Sequence, residues 1–331
     1  MADRLVVAVE GSTRRCSAAL LRMQLGAKPD GDPWITVARR MEIGAGQQSR
    51  ALLSFVDEML EETGRTPVDL AAVVVGTGPG TFTGVRIAVA TARALGLALS
   101  VPVLGVGSLG ALAARAAEAG VGVRRSVSGG QSSPSRSDNT YANRPEGWIG
   151  IDTLVAVVDA RRGQVFYASY RLGSVSTALA GARWKRTTGF GVCDAGTLGQ
   201  VVQTLRQDRK PAGTQRGRGI GAETALIVGE RSVVGGDLPA GCTFADIELC
   251  ADWLVRGQHR LEEPGPLPQG ERLSPWLEEI VVGRRDGVDW ADVVGGTGTP
   301  ESVTPEYVRS PDADVHIAKM RDPWANASDA G

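Results

Sequence analysis

The feature that most constrains the fold is an alternation of buried strands and helices between residues 70 and 119. The apolar run LAAVVVG (70–76) leads through a glycine-rich turn into a helix-like segment. PVLGV (102–106) leads in the same way into SLGALAARAAEA (108–119). Strands that alternate with helices in this order pair in parallel through right-handed crossovers. This part of the chain therefore predicts an α/β fold with parallel strands at its centre.

Apolar runs on either side extend this prediction into two sheets. Strand-like runs precede the central segment at LVVAV (5–9), CSAALL (16–21) and WITVARRM (34–41), followed by an amphipathic helix at 48–62. Later in the chain the pattern indicates a hairpin at 153–160 and 164–170, a strand at 225–229, and helices at 196–207 and 245–257. We therefore expect an N-terminal lobe over residues 1–120 and a second lobe over 151–310.

Polar segments interrupt these two lobes. Residues 121–150 contain SVSGGQSSPSRSDNTYANRPEG, in which Ser, Gly, Asn and Pro dominate. Such a composition cannot bury a core, so we interpret 121–150 as a flexible linker or insertion. By the same reasoning we expect loop insertions near 211–222 and 262–300 and a polar tail over 311–331.

The glycine-rich turn GTGPGTFTG (76–84) has the layout of a phosphate-binding loop but fails both common fingerprints. The dinucleotide pattern GxGxxG places its third glycine at position 81, which is Thr81, and the P-loop pattern needs a Gly-Lys pair that is absent here. Backbone N–H groups at a helix N-terminus can still hold an anion. The candidate residues for such a site are Ser12, Thr13, Gly78, Gly80 and Thr81. The alternative is a tight strand-to-helix turn that needs glycine for its geometry.

The helix after this turn carries small residues at every fourth position, namely Gly84, Ala88, Ala92 and Gly96. This strip allows a neighbouring element to come very close. Glycine at position 96 costs about 1 kcal/mol of helix stability relative to alanine, so close packing should compensate. Two interpretations remain open, internal packing or an interface with a partner helix.

The sequence offers little support for catalysis or metal binding. The two histidines, His259 and His316, are far apart and form no HExxH pair, and no GxSxG nucleophile motif occurs. Glu10 and Asp159 end apolar strands, where carboxylates act in some enzymes and form turns in many other proteins. We therefore expect no catalytic and no metal-binding residue in this chain.

Charge, cysteines and hydropathy indicate a cytoplasmic chain. The formal net charge is −1, so nothing suggests a free-standing nucleic-acid or membrane-surface binder. The four cysteines (Cys16, Cys193, Cys242 and Cys250) show no CxxC spacing and are expected to be buried free thiols. The N-terminus does not resemble a signal peptide, and no apolar stretch approaches the roughly 20 residues that cross a bilayer.

Several of these segments together resemble one family. The stretches VVAVEGSTRRCSAALL (6–21), GTGPGTFTGVRIAVATARALGLALSVPVLGVGSLGALA (76–113), AVVDARRGQVFYASY (156–170) and TPEYVR (304–309) are similar to those of TsaB, also called YeaZ. The 78–86 block is the most specific of them. The family is the non-catalytic partner in bacterial threonylcarbamoyladenosine modification of tRNA.

The resemblance implies an actin-like, sugar-kinase-like fold of two α/β lobes with central mixed sheets. It implies pairing with the catalytic subunit TsaD and the ATPase TsaE, and a homodimer when the partner is absent. It implies that tRNA is bound only through the complex, which modifies adenosine 37 of tRNAs reading ANN codons. No cofactor is expected in this chain alone, because ATP and metal belong to the partner subunits. The implied partner interface comprises Phe82, Thr83, Gly84, Val85, Ile87, Ala88, Thr91, Ala92, Leu95 and Gly96.

Two alternatives remain on the same fold. One is a small-molecule kinase or ATPase, and the other is an M22-type metallopeptidase, which the missing paired histidines disfavour. Catalytic relatives and actin-like kinases usually place Asp at the end of the first strand, near phosphate, whereas this chain has Glu10-Gly11 there.

Overall fold

The computed structural model describes residues 4–24, 32–43, 48–118, 151–172, 184–207, 224–234, 238, 241–258, 261–262 and 303–305. The predicted linker 121–150, the predicted insertion 211–222 and the predicted tail 311–331 lie outside these residues. So do His259, His316 and, apart from Glu262, the predicted insertion 262–300.

The first sheet has five strands in the order β3-β2-β1-β4-β5. They are β1 (Leu5–Glu10), β2 (Arg15–Met23), β3 (Trp34–Ile43), β4 (Leu70–Gly78) and β5 (Val103–Gly107). The first three strands are antiparallel, and β4 is parallel to both β1 and β5. The connecting helices are α1 (Gln48–Glu62) and α2 (Phe82–Leu99), and α3 (Ser108–Glu118) follows β5. The predicted elements and their parallel pairing are confirmed here.

The second sheet repeats this topology. Its seven strands are β6 (Ile151–Arg161), β7 (Gln164–Leu172), β8 (Trp184–Arg186), β9 (Gly191–Asp194), β10 (Thr224–Gly229), β11 (Cys242–Asp246) and β12 (Leu261–Glu262), and α4 (Leu198–Gln207) follows β9. The order β8-β7-β6-β10-β11 has the same pattern of strand directions as β3-β2-β1-β4-β5. Two lobes built on one strand plan confirm the predicted actin-like α/β class with central mixed sheets.

The two sheets and their helices form successive layers. In β1, Leu5, Val7 and Val9 pack toward α1 and α2, whereas Val6 and Ala8 pack into the core shared with the second sheet. Helix α3 lies in that shared core, and α4 covers the far face of the second sheet. A strand buried on both faces needs an almost continuous apolar run, which explains the sequence LVVAV.

The helix predicted over 245–257 is wrong. Residues Cys242–Asp246 form β11, which pairs in parallel with β10, and Ala251–Leu254 form one turn of 3₁₀ helix. Almost every side chain between 247 and 255 is buried. An amphipathic helix needs a polar face in solvent, and this segment, enclosed between the lobes, has none.

Residues 247–256, termed the interlobe segment, join the second lobe to the first sheet through polar contacts. The Ala251 N–H donates to Ser17 Oγ at 3.0 Å. The buried Asp252 carboxylate accepts a hydrogen bond from Thr36 Oγ1 at 3.2 Å and lies 3.5 Å from Arg39 Nη1. The predicted boundary before residue 151 therefore separates two sheets, but not two cores.

Candidate functional site

The glycine-rich turn after β4 meets the turn after β1 at one edge of the first sheet. These two strands are parallel neighbours, so their carboxyl ends lie side by side, where ligands commonly bind in α/β sheets. The Thr81 N–H donates to the Ser12 carbonyl oxygen at 2.6 Å, and Thr81 Oγ1 lies 3.4 Å from the Gly11 carbonyl oxygen. Gly80 rests against Ser12 so closely that a Cβ there would lie 2.5 Å from Ser12 Cβ. We term residues 10–13 and 76–81 the strand-end junction.

Glu10 occupies the centre of the strand-end junction. Its carboxylate is 1 % exposed, and it accepts hydrogen bonds from the Ser12 N–H at 2.5 Å and from Ser108 Oγ at 2.9 Å. Burial raises the pKa of Glu10 above its ordinary value, and the hydrogen bonds from Ser12 and Ser108 oppose that rise. The carboxylate therefore bonds inside the protein and does not face a ligand.

The five candidate anion-binding residues come together at this junction, but their amides are largely engaged. The N–H groups of Ser12 and Thr81 donate to Glu10 and to the Ser12 carbonyl, and the Gly78 N–H donates to Ser108 Oγ at 3.2 Å. An anion at this place would also meet the Glu10 carboxylate. The anion site stays a prediction, and the turn-geometry alternative explains these contacts. Among the five residues, only Thr13 also lines the cleft between the lobes.

The strip of small residues on α2 faces the chain's own core. The residues Gly84, Val85, Ala88, Thr91, Ala92 and Gly96 are all buried. A Cβ on Gly11 would lie 2.7 Å from the Gly84 carbonyl oxygen and 3.3 Å from Ala88 Cβ, which shows how closely α2 packs on the β1–β2 turn. Internal packing, the alternative left open by the sequence, therefore accounts for the small residues. Six of the ten predicted interface residues are therefore buried within the chain itself.

The other face of α2 is apolar and open. The residues Thr83, Ile87, Ala90, Ala94 and Leu97 follow one another at spacings of four, three, four and three residues. We term this row the outer seam. Ile87 is half-buried and the other four are exposed, with Leu97 61 % exposed. A 3.5-residue repeat of this kind is typical of helices that pack along one another. Thr83 and Ile87 belong to the predicted interface, whereas Ala90, Ala94 and Leu97 lie outside it.

Two further interface candidates flank the seam. Phe82 and Leu95 are both half-buried, and the Arg86 guanidinium lies 3.7 Å from the centre of the Phe82 ring.

Among the described residues, α2 alone is long and apolar enough to cross a membrane by length and composition, a property that core helices also show.

A cleft of about 470 Å³ lies between the lobes, where the β1–β2 turn faces the β6–β7 turn. Asp159, one of the two strand-end carboxylates singled out in the sequence, lines this cleft. Its Oδ1 accepts a hydrogen bond from the Arg161 N–H at 2.7 Å, and its Oδ2 lies 3.8 Å from Arg161 Nη1. These contacts fix the turn, so the carboxylate serves the hairpin's structure.

The cysteines are all free thiols. Cys16 and Cys250 are buried as predicted, whereas Cys193 and Cys242 are only half-buried. Burial raises the pKa of all four thiols, which lowers the fraction of reactive thiolate at neutral pH. In the part of the chain that the structure describes, no three His, Cys, Asp or Glu residues cluster as a metal site would need.

Comparison with known proteins identifies one sequence family. The family described as "TsaD: tRNA N6-adenosine threonylcarbamoyltransferase" matches residues 42–145, which include α1, β4, the strand-end turn, α2, β5 and α3. No curated protein sequence shows a significant match. The family match includes the block at 78–86, so over this region the chain is similar to the family that the sequence resembles.

Two solved structures from Pseudomonas aeruginosa are among those to which this chain is similar. One is an uncharacterized protein with similarity to peptidase YEAZ, and the other is YeaZ. Each is 20 % identical to this chain, with a TM-score of 0.48, and each match covers 92 % of this chain. The match covers 100 % of the first protein and 99 % of the second. A Ppx/GppA family member from Aquifex aeolicus is 9 % identical, with a TM-score of 0.30, over 70 % of this chain and 66 % of the other.

Proposed function

We propose that this chain is a non-catalytic subunit of the complex that forms N6-threonylcarbamoyladenosine at position 37 of tRNAs reading ANN codons. It binds and supports a TsaD-like catalytic subunit, and a TsaE-like ATPase acts with them in the cytoplasm. ATP and metal are bound by those partners, and tRNA is bound only by the assembled complex. The observation that carries the proposal is the TsaD-family match over the α1–α3 region, in which α2 presents an open apolar seam.

The buried Glu10 supports a non-catalytic role. At the end of β1, a kinase of this fold class needs a carboxylate that faces phosphate or its metal. Glu10 instead bonds to Ser12 and Ser108 inside the protein. Turning it outward would leave those donors unpaired in a buried place, which costs about 1–3 kcal/mol for each.

The outer seam supports helix-to-helix association with a partner. Ala90 and Ala94 lie at the middle of the seam and allow a close approach, while Ile87 and Leu97 supply apolar area on either side. A facing helix with the same repeat would insert its side chains between these residues. In the absence of TsaD, a second copy of the same seam can take that place and form a homodimer.

The proposal is tested with the full-length chain, its cognate TsaD and TsaE proteins, and tRNA. We expect the isolated chain to show no turnover, and threonylcarbamoylation by the mixture to depend on its addition. ATP hydrolysis by the isolated chain would favour the kinase alternative instead. Equal tRNA modification with and without the chain would refute the proposed role.

The interface is tested by Ala94→Arg and Leu97→Arg, with Val68→Arg as the matched control. Val68 is also an exposed apolar residue, at 84 %, but it lies outside α2. An arginine buried without a partner costs roughly 3–5 kcal/mol, which predicts a loss of affinity for TsaD of at least about 100-fold. The control should bind like the wild type. Wild-type binding by both folded seam variants would exclude the seam as the interface.

A further inference from the structure

A titratable group that the proposed function does not use lies at the centre of the strand-end junction. Glu10 is 1 % exposed, and it accepts hydrogen bonds from the Ser12 N–H at 2.5 Å and from Ser108 Oγ at 2.9 Å. On its remaining side lies Gly76 of β4, where a Cβ would lie 2.9 Å from Glu10 Oε1 and closer still to Oε2. The carboxyl group therefore occupies a pocket that has no space for another side chain.

No cation faces this pocket from the described elements that surround it. Residues 70–81, which form β4 and the glycine-rich turn, contain no charged residue. Charged side chains on the other neighbouring elements contact other groups, namely Arg15 with Glu230 and Glu248, Arg86 with the Phe82 ring, Arg115 with the Glu248 carbonyl oxygen, Asp252 with Thr36 and Arg39, and Arg256 with Asp32. Those that remain lie farther along their elements or are exposed, namely Arg4, Arg14, Arg22 and Arg93.

The pKa of Glu10 reflects these surroundings. Burial raises the pKa, hydrogen bonds from Gly11, Ser12 and Ser108 lower it, and no charge contributes. The nearest thiols, Cys16 and Cys250, are themselves kept neutral by burial, which raises the pKa of both. An ionised carboxylate without a countercharge is disfavoured in such a pocket, so the closed junction stabilises the neutral acid.

A second buried group in this pocket fits the neutral acid. Ser12 Oγ is buried and has no hydrogen-bond partner among the described residues, and Ser12 is close enough to influence the pKa of Glu10. A protonated carboxyl group has an O–H to donate, and a serine hydroxyl can accept it. The proton on Glu10 would therefore give Ser12 Oγ the partner that it lacks.

The groups that bind Glu10 also hold both ends of the glycine-rich turn. The Gly78 N–H donates to Ser108 Oγ at 3.2 Å, and this same hydroxyl donates to Glu10. The Thr81 N–H donates to the carbonyl oxygen of Ser12 at 2.6 Å, and α2 begins at the next residue. Any movement of Ser12 or Ser108 is therefore transmitted to the start of α2.

We infer that Glu10 is a proton switch for the strand-end junction. With its proton it stays enclosed and holds the two turns together. When the proton passes to solvent, the carboxylate draws water into the pocket, and the glycine-rich turn loosens at the start of α2. Because the pKa of Glu10 is raised, the junction is closed at low pH and opens as the pH rises above 4.5 toward the raised pKa. The switch needs neither a partner nor tRNA.

The test measures amide hydrogen exchange of the full-length chain by mass spectrometry as a function of pH, corrected for the intrinsic pH dependence of exchange. Each unit by which the pKa of Glu10 is higher in the closed junction than in the open one changes the opening equilibrium tenfold. We therefore expect protection of segments 10–13 and 76–85 to fall at least about tenfold as the pH rises. Glu10→Gln cannot lose a proton in this range and should stay protected at every pH. Asp57→Asn, a matched change at an exposed carboxylate on α1, should follow the wild type.

A second variant tests the role of the proton without replacing Glu10. Ser108→Ala removes a hydrogen bond that favours the ionised form. It should therefore move the midpoint of the exchange transition to higher pH, a change that loss of a merely structural contact would not produce. If Glu10→Gln fails to fold, this shift in the midpoint decides the question.

Three results would overturn the inference. The first is protection of both segments that does not change with pH in the wild type. The second is the same pH dependence in Glu10→Gln as in the wild type. The third is a Ser108→Ala midpoint equal to or below that of the wild type. Each can occur in a chain that still supports tRNA modification, so this failure is distinguishable from failure of the proposed function.

Discussion

Replacing Gly80 by alanine tests whether the strand-end junction is held by close backbone contact. The new Cβ would lie 2.5 Å from Ser12 Cβ and 2.7 Å from the Ser12 carbonyl carbon, whereas ordinary contacts begin at 3.4 Å. The two turns must therefore separate by about 1 Å. That movement breaks the hydrogen bond from the Thr81 N–H to the Ser12 carbonyl oxygen, now 2.6 Å long.

The expected loss of stability follows from three contributions. Overpacking of this kind costs about 1–3 kcal/mol. The broken hydrogen bond adds about 1 kcal/mol. Alanine also lowers the conformational entropy of the unfolded chain, which stabilises the folded state by about 0.4–1 kcal/mol. We therefore expect Gly80→Ala to lower the free energy of unfolding by roughly 1–3.5 kcal/mol.

Gly196→Ala is the matched control, because no atom lies within 4 Å of a Cβ at that position. It should be neutral or stabilising by up to about 1 kcal/mol. Urea unfolding followed by tryptophan fluorescence measures both variants, since Trp34 is buried in the shared core. If the free energy of unfolding of Gly80→Ala lies within about 0.5 kcal/mol of that of the control, the strand-end junction is not tightly packed, and close backbone contact does not explain its geometry.

Two further predictions concern buried carboxylates. The raised pKa of Glu10 means that its contribution to stability is fully present below the ordinary value of 4.5 and is lost as pH rises toward the raised pKa. Glu10→Gln should therefore gain stability relative to the wild type as pH rises above 4.5, measured by thermal midpoints, and a difference that does not change with pH would contradict this. Asp252→Ala removes the acceptor for Thr36 and Arg39 and should cost about 1–3 kcal/mol in urea unfolding, against about 0.5 kcal/mol or less for the exposed Asp57→Ala. Equal effects of the two Asp variants would show that the interlobe contact is not stabilising.

The strand and helix spans of the first lobe could be predicted because local pattern and burial agree there. Runs such as LVVAV and LAAVVVG are buried on both faces, and the periodic apolar residues of 48–62 mark one face of α1. Other strands could not be predicted because they are too short to show an alternating apolar pattern, namely β8, β9 and the two-residue β12.

The interlobe segment could not be predicted for a different reason. Its apolar residues are enclosed on all sides by elements that are distant in sequence, so they show no stripe. The spacing of its buried apolar residues matches a helical pattern only by coincidence, as at Ile247, Leu249, Trp253 and Leu254. Tertiary burial overrides local propensity there.

The two faces of α2 could not be told apart from the sequence for a related reason. Small residues at every fourth position indicate close packing but do not say against what. The chain's own β1–β2 turn lies against Gly84 and Ala88, and Ala92 and Gly96 are buried in the same helix face. The 3.5-residue row from Thr83 to Leu97 was also present in the sequence, and only the burial pattern distinguishes it from the strip.

The interlobe segment also determines when the N-terminal lobe can finish folding. Nascent chains fold in order as they leave the ribosome. Residues 247–256 cover the face of the first sheet that carries Val6 and Ala8, so that face stays uncovered until most of the polypeptide has been translated. A fragment that ends at residue 120 would expose the same apolar surface, and truncation between the lobes would yield an aggregating product. The two sheets are therefore separate in their strand pairing, but the first lobe completes its fold only after the interlobe segment has been translated.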